Sequence, residues 1–207
     1  MVNVDLQRQR LIRQAFHLEW LTVGWMAVEA AVAVASGNEA HSITLMAFGL
    51  DSVIELASAG VLIWRLSSEL RFGRAVSEAA ERTARRIAGG LLFALAAYVA
   101  AAAAWSLWHG EGADFSWPGL LVALLAIPLM LVLARRKLAL ADRLGSRALR
   151  ADAAESIACL WLSVVVVIGL AAQRAFGAWW IDPVTSLAIV WFLVKEGREA
   201  WEAEEDD

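Results

Sequence analysis

The chain has 207 residues, of which 60% are apolar and only 19% are charged, and its mean hydropathy is +0.58. This composition excludes a soluble globular surface, a disordered chain, a collagen and a coiled coil, and it favours a bundle of membrane-embedded helices. The net charge of −4 and the lack of a basic, aromatic-interleaved helix exclude nucleic acid as a partner. A single cysteine leaves any metal site to rest largely on carboxylates and histidines.

The charged residues divide the chain into six apolar stretches, which we predict to be membrane spans; such a span takes about 20 apolar residues. The predicted fold class is therefore all-α: a polytopic six-helix membrane protein, one transmembrane domain over residues 1–207, with no soluble C-terminal domain. The fourth stretch continues as a helix to Leu144, where Gly145-Ser146 marks a break and Ser146 is expected to cap the next helix. The six predicted spans are 18–36, 43–64, 87–108, 118–134, 153–173 and 181–195.

Positive charge is distributed unevenly between the two ends of these spans. Of the 18 Lys and Arg residues, 17 fall before span one, after span six, or in the second-to-third and fourth-to-fifth connections; Arg174 is the exception. Because Lys and Arg accumulate on the cytoplasmic side, both termini are predicted to be cytoplasmic. Arginine far outnumbers lysine and alanine is abundant, which is typical of GC-rich coding and indicates a bacterial inner membrane.

Acidic residues inside the spans are the strongest functional signal. An ionised carboxylate at the bilayer centre costs about 2.5 kcal/mol or more, so each is expected to have a partner or a function. Span two carries Asp51 and Glu55, and span five carries Glu155 and Cys159. The members of each pair are four residues apart, which places them on one face of a helix. Two such helices side by side would gather four oxygen or sulfur donors, a set that suits tetrahedral Zn²⁺.

The same residues have structural interpretations. Two ionised acids one turn apart repel, so a packing role for Asp51 and Glu55 requires protonation or hydrogen bonds to other helices. Cys159 alone is more often a small buried hydrophobe than a ligand. Asp152 begins span five, where an acid favours the helix dipole, and Glu29 in span one is either a proton relay or an interhelical hydrogen bond. We keep Asp152 and Glu29 as residues that support the ligands or line the path of the ion.

Two segments of the chain resemble the cation diffusion facilitator (cation efflux) family. They are His41–Glu55 in span two and Gly145–Glu155 leading into span five. Asp182-Pro183, which we predict to be an N-cap followed by proline at the first helical position, is also similar. The resemblance covers the whole chain and implies a six-helix transmembrane domain, without the family's usual cytoplasmic C-terminal domain or histidine-rich loop.

In that family, an acidic pair on the second helix and a His/Asp-type pair on the fifth bind the transported ion midway through the membrane. Carried over by position, these pairs are Asp51 with Glu55 and Glu155 with Cys159. Many zinc transporters of the family have a second Asp where this chain has Glu55, and His then Asp on the fifth helix. The resemblance thus implies a metal site here, with Zn²⁺ first and Mn²⁺, Fe²⁺, Co²⁺ or Cd²⁺ as alternatives.

The predicted function is export of a divalent cation from the cytoplasm by alternating access, coupled to proton antiport. Deprotonated ligands bind metal and protonated ligands do not, which couples the two fluxes; the direction is implied by the resemblance. We expect a homodimer formed through the helices, and we do not expect a cofactor. A proton or cation channel and a non-transporting scaffold remain alternatives. An enzyme is not expected, because Cys159 has no histidine at a suitable spacing in the spans.

Overall fold

The computed structural model describes residues 2–72 and 78–202, which fold into six α-helices. The prediction of an all-α protein is therefore confirmed. Among the described residues, five helices contain a stretch long and apolar enough to cross a membrane, and span two is found at the predicted Ile43–Trp64. The helices are α1 (Val2–Glu39), α2 (Ile43–Phe72), α3 (Glu78–His109), α4 (Trp117–Leu144), α5 (Arg147–Phe176) and α6 (Ile181–Glu202).

Helix α6 lies outside that set of five. Its apolar stretch is interrupted by Asp182 near its start and by Lys195 and Glu196 towards its end. It nevertheless packs into the bundle, mainly against α3 and also against α5 and α2. The sixth predicted span is therefore a helix of the bundle, and this helix carries acidic residues.

The connection between α4 and α5 is formed as its residues predict. Gly145 closes α4 in the left-handed region with φ of 61°, a conformation that glycine adopts without a Cβ penalty. Ser146 has an extended backbone, and its hydroxyl accepts a hydrogen bond from the backbone N–H of Leu149 at 3.3 Å. The predicted break and the predicted cap are both confirmed.

Helices α1 and α2 approach each other closely at Gly49. A Cβ on this residue would lie 2.8 Å from the backbone N of Val34 and 3.1 Å from the Cβ of Ala33. Small residues at helix interfaces allow such close approach in membranes. The contact brings Ser52 of α2 within hydrogen-bond distance of Glu29 of α1, 2.7 Å from Ser52 Oγ to Glu29 Oε1.

Asp182 caps a helix other than the one predicted. Helix α6 begins at Ile181, so Asp182 lies within its first turn. Its carboxylate accepts hydrogen bonds from Ser42 Oγ at 2.6 Å and from the backbone N–H of Ile43 at 2.9 Å, at the start of α2. The prediction that Asp182 caps its own helix was wrong, because the free N–H groups at the start of α2 lie within reach of this buried carboxylate.

This cross-helix cap holds α2 and α6 at a common starting level. Both helices run into the bundle from there, and they contact each other. At 1.5 Å per residue, Glu55 lies about 18 Å along α2 and Glu196 about 22 Å along α6. Side chains far apart in the sequence therefore reach a similar depth.

Replacing Asp182 with alanine is expected to lower the free energy of unfolding by about 1–2 kcal/mol, since the cap of α2 is lost. Asp142→Ala is the matched control, because Asp142 is 63% exposed and pairs with Arg150 on the surface; it should change stability by about 0.5 kcal/mol or less. Denaturant unfolding in detergent, followed by circular dichroism, measures both. Equal stability of the two variants would show that the cap does not stabilise α2.

Candidate metal centre

Three carboxylates from two helices meet inside the bundle. Asp51 and Glu55 of α2 and Glu196 of α6 each place one oxygen so that the three oxygens lie within 4.8 Å of one another. Oxygens bound to one ion at about 2.2 Å lie up to about 4.4 Å apart, so the three need only small movements to share a cation. We call these residues the three-carboxylate group.

Four of the six carboxylate oxygens of this group are buried without a hydrogen bond within the part of the chain that the structure describes. Asp51 is 1% exposed and Glu55 is 8% exposed. No hydrogen bond reaches Asp51 Oδ1, either carboxylate oxygen of Glu55, or Glu196 Oε1. A buried polar atom without a hydrogen bond costs about 1–3 kcal/mol, and more if it is charged. A divalent cation would supply the missing partner and offset the negative charge, so the donor set fits such an ion.

Glu155 of α5 lies beside the three-carboxylate group but is not one of its members. It is near enough to Glu55 and Glu196 for an electrostatic interaction with both. It is only partly buried, unlike the two acids of α2. The structure therefore places Glu155 within electrostatic range of the group and outside the set of oxygens that meet.

Cys159, the other predicted donor of α5, contacts α1. Its Sγ lies 3.6 Å from Glu29 Oε1, which also accepts a hydrogen bond from Ser52 Oγ at 2.7 Å. The second oxygen of Glu29 accepts a hydrogen bond from Trp25 Nε1 at 2.7 Å. Glu29 is thus an interhelical hydrogen-bond acceptor that ties α1, α2 and α5 together. Cys159 remains within electrostatic range of the three-carboxylate group.

A second buried cluster of charges joins α1, α4 and α5. Lys137 of α4 is fully buried, and its Nζ lies 2.5 Å from Asp152 Oδ2 and 3.4 Å from Glu19 Oε2. The pairing explains why Asp152 tolerates burial. We call these three residues the Lys137 triad. Helix α5 begins at Arg147, so Asp152 lies in its second turn, and the prediction that it favours the helix dipole from the first turn was wrong. From the sequence, Lys137 counts only as one of the positive charges outside the spans, and its burial is not predicted.

Sequence reasoning also missed Glu196, because the sixth predicted span ended at residue 195. The signal lies in the spacing along α6. The residues of one helical face follow each other every three or four positions, and the first four of them are buried. Extending that face by one more turn leads to Glu196. The face consists of Asp182, Ser186, Ile189, Leu193 and Glu196.

Comparison with known proteins agrees with this architecture. Residues 20–203 match the family model of the cation efflux transmembrane domain. An uncharacterized transporter from Synechocystis sp. is 31% identical over 155 residues, which are 72% of this chain and 49% of that protein. The chain therefore spans about half the length of this curated relative. The match over most of the sequence, together with a helical bundle of apolar spans, shows that the chain is an integral membrane protein of the cation efflux family, whose members are transporters and not enzymes.

Proposed function

We propose that this chain exports a divalent metal cation from the cytoplasm in exchange for protons, with Zn²⁺ as the ion. The proposal is carried by the three-carboxylate group, in which four buried oxygens have no hydrogen bond among the described residues of a cation efflux fold. Zn²⁺ accepts both carboxylate oxygens and thiolate. Glu155 and Cys159 are the donors that the sequence predicts on α5, and we retain them as ligands that join the ion as it moves through the site.

Proton exchange follows from the charge of the site. Three carboxylates within 4.8 Å of one another need compensation in an apolar interior. Either protons or a divalent cation can supply it, and the two compete for the same oxygens. Binding of the metal on one side of the membrane therefore releases protons there, and release of the metal on the other side takes protons up.

Proteoliposomes containing the full chain test this proposal. With an acidic interior, we expect saturable uptake of Zn²⁺ against its gradient, accompanied by alkalinisation of the lumen and abolished by a protonophore. A fluorescent zinc indicator and an entrapped pH dye record both fluxes. Uptake that neither saturates nor responds to the pH gradient would support the channel alternative instead, and the lack of both flux and metal binding would support a scaffold.

The proposal retains two further expectations from the sequence. One is the orientation with both termini in the cytoplasm of a bacterium, which the excess of positive residues at one end favours. The other is a homodimer formed through the helices. Cysteine-accessibility labelling tests the first, and analytical ultracentrifugation in detergent tests the second.

A further inference from the structure

We propose that Glu196 of α6 is a metal ligand, and that it completes an all-carboxylate core which favours oxygen-preferring divalent cations such as Mn²⁺ over thiophilic ions such as Cd²⁺. The inference rests on the proposed function and goes beyond it by naming the class of cation. Zn²⁺ belongs to the accepted class, because it binds oxygen as well as sulfur donors.

The position of Glu196 is the first support. Its ligand oxygen lies within 4.8 Å of those of Asp51 and Glu55, and its buried Oε1 has no hydrogen-bond partner within the described chain. Two charged residues of α6, one on either side of Glu196, pair with each other. Lys195 pairs with Glu199 at 3.6 Å, and both side chains are more than half exposed.

The packing of α6 against α3 explains why Glu196 turns towards α2. A Cβ on Gly197 would lie 3.2 Å from the ring of Phe93 and 3.3 Å from the carbonyl oxygen of Gly89. The position directly after Glu196 is therefore pressed against α3. This close contact fixes the rotation of α6 about its axis, and with it the direction of the Glu196 carboxylate.

The chemistry of the donors gives the class of cation. Carboxylate ligands suit Mn²⁺, whereas thiolates select softer ions. The thiol of Cys159 contacts Glu29, 3.6 Å away, and lies outside the set of oxygens that meet. Asp51 is 1% exposed and Glu55 is 8% exposed, and both present unpartnered oxygens to the group. The oxygens that meet in this structure therefore come from carboxylates alone, and Cys159 would join them only as the ion moves.

Calorimetry with MnCl₂ and with CdCl₂ on the purified full chain tests the assignment. Glu196→Gln keeps the shape of the side chain and should weaken Mn²⁺ binding by about 10-fold or more, since loss of a group that merely supports a ligand already costs about 10–100-fold. Glu199→Gln is the matched control, one turn further along α6 and exposed, and should bind Mn²⁺ as the native chain does.

A second variant reads out the class of cation even if Glu196→Gln folds poorly. Glu196→Cys adds a sulfur donor and should shift the ratio of Mn²⁺ to Cd²⁺ affinity towards Cd²⁺ by about 10-fold or more. Glu199→Cys places the same thiol at an exposed position of α6 and should leave that ratio unchanged. Native Mn²⁺ affinity in Glu196→Gln, or an unchanged ratio in Glu196→Cys, would overturn the assignment. If Asp51→Asn still abolishes binding in that case, the proposed function stands; if Asp51→Asn binds normally, the proposed function fails.

Discussion

Replacement of Asp51 by asparagine is expected to abolish metal transport and leave the protein folded. Asparagine matches aspartate in size, and Asp51 Oδ1 has no hydrogen bond to lose within the described residues. The change removes an anionic ligand from a site where three carboxylates meet. Metal affinity should fall by more than about 100-fold, beyond the range found for groups that only support a ligand.

Zn²⁺ uptake into proteoliposomes measures this effect, and elution volume and circular dichroism in detergent confirm the fold. Asp142→Asn is the control, because it makes the same chemical change at an acid that is 63% exposed. The control should transport at the native rate. Transport that survives both Asp51→Asn and Asp51→Ala would remove this residue from the path of the ion.

The largest effect on stability is expected for Lys137→Met. Lys137 lies between the carboxylates of Asp152 and Glu19, and its loss leaves both buried acids without a counter-charge. Breaking a buried ion pair by removing one partner costs about 3–5 kcal/mol. Lys195→Met removes the same group from an exposed pair and should cost about 1 kcal/mol or less.

Thermal and denaturant unfolding in detergent compare the two lysine variants. Adding Asp152→Asn to Lys137→Met should restore part of the lost stability, because one of the two unpaired charges is then removed. Equal stability of Lys137→Met and the native protein would mean that the Lys137 triad does not stabilise the fold.

The local features of the fold follow from the sequence. The break at Gly145 and the cap at Ser146 depend on backbone preferences of single residues, and both are found as predicted. The spacing of Asp51 and Glu55 places them on one face of α2, and they share the three-carboxylate group. Such features depend on residues within one or two turns of each other.

The partners across the bundle do not follow from local patterns. Cys159 and Glu29 are 130 positions apart, and Ser42 and Asp182 are 140 apart. Periodicity identifies which face of a helix is buried, but it does not say which other helix meets that face. For this reason the sequence pairs span two only with span five, whereas the structure also brings α6 to the acids of α2.

The packing of the helices suggests how the site opens. Most of the contact in the bundle lies within three pairs of helices: α1 with α2, α3 with α6, and α4 with α5. The three-carboxylate group spans two of these pairs, since α2 supplies two members and α6 the third. We expect the pairs to move as units during alternating access, so that separation of α2 from α6 loosens the site.

The central claim is that carboxylates of α2 and α6 together hold the transported ion. Anomalous diffraction from crystals of the full chain grown with Zn²⁺, and again with Mn²⁺, tests it most directly. We predict a single strong peak inside the bundle with oxygens of Asp51, Glu55 and Glu196 at about 2.0–2.2 Å. A peak that lies beyond coordination distance of these three carboxylates would contradict the account.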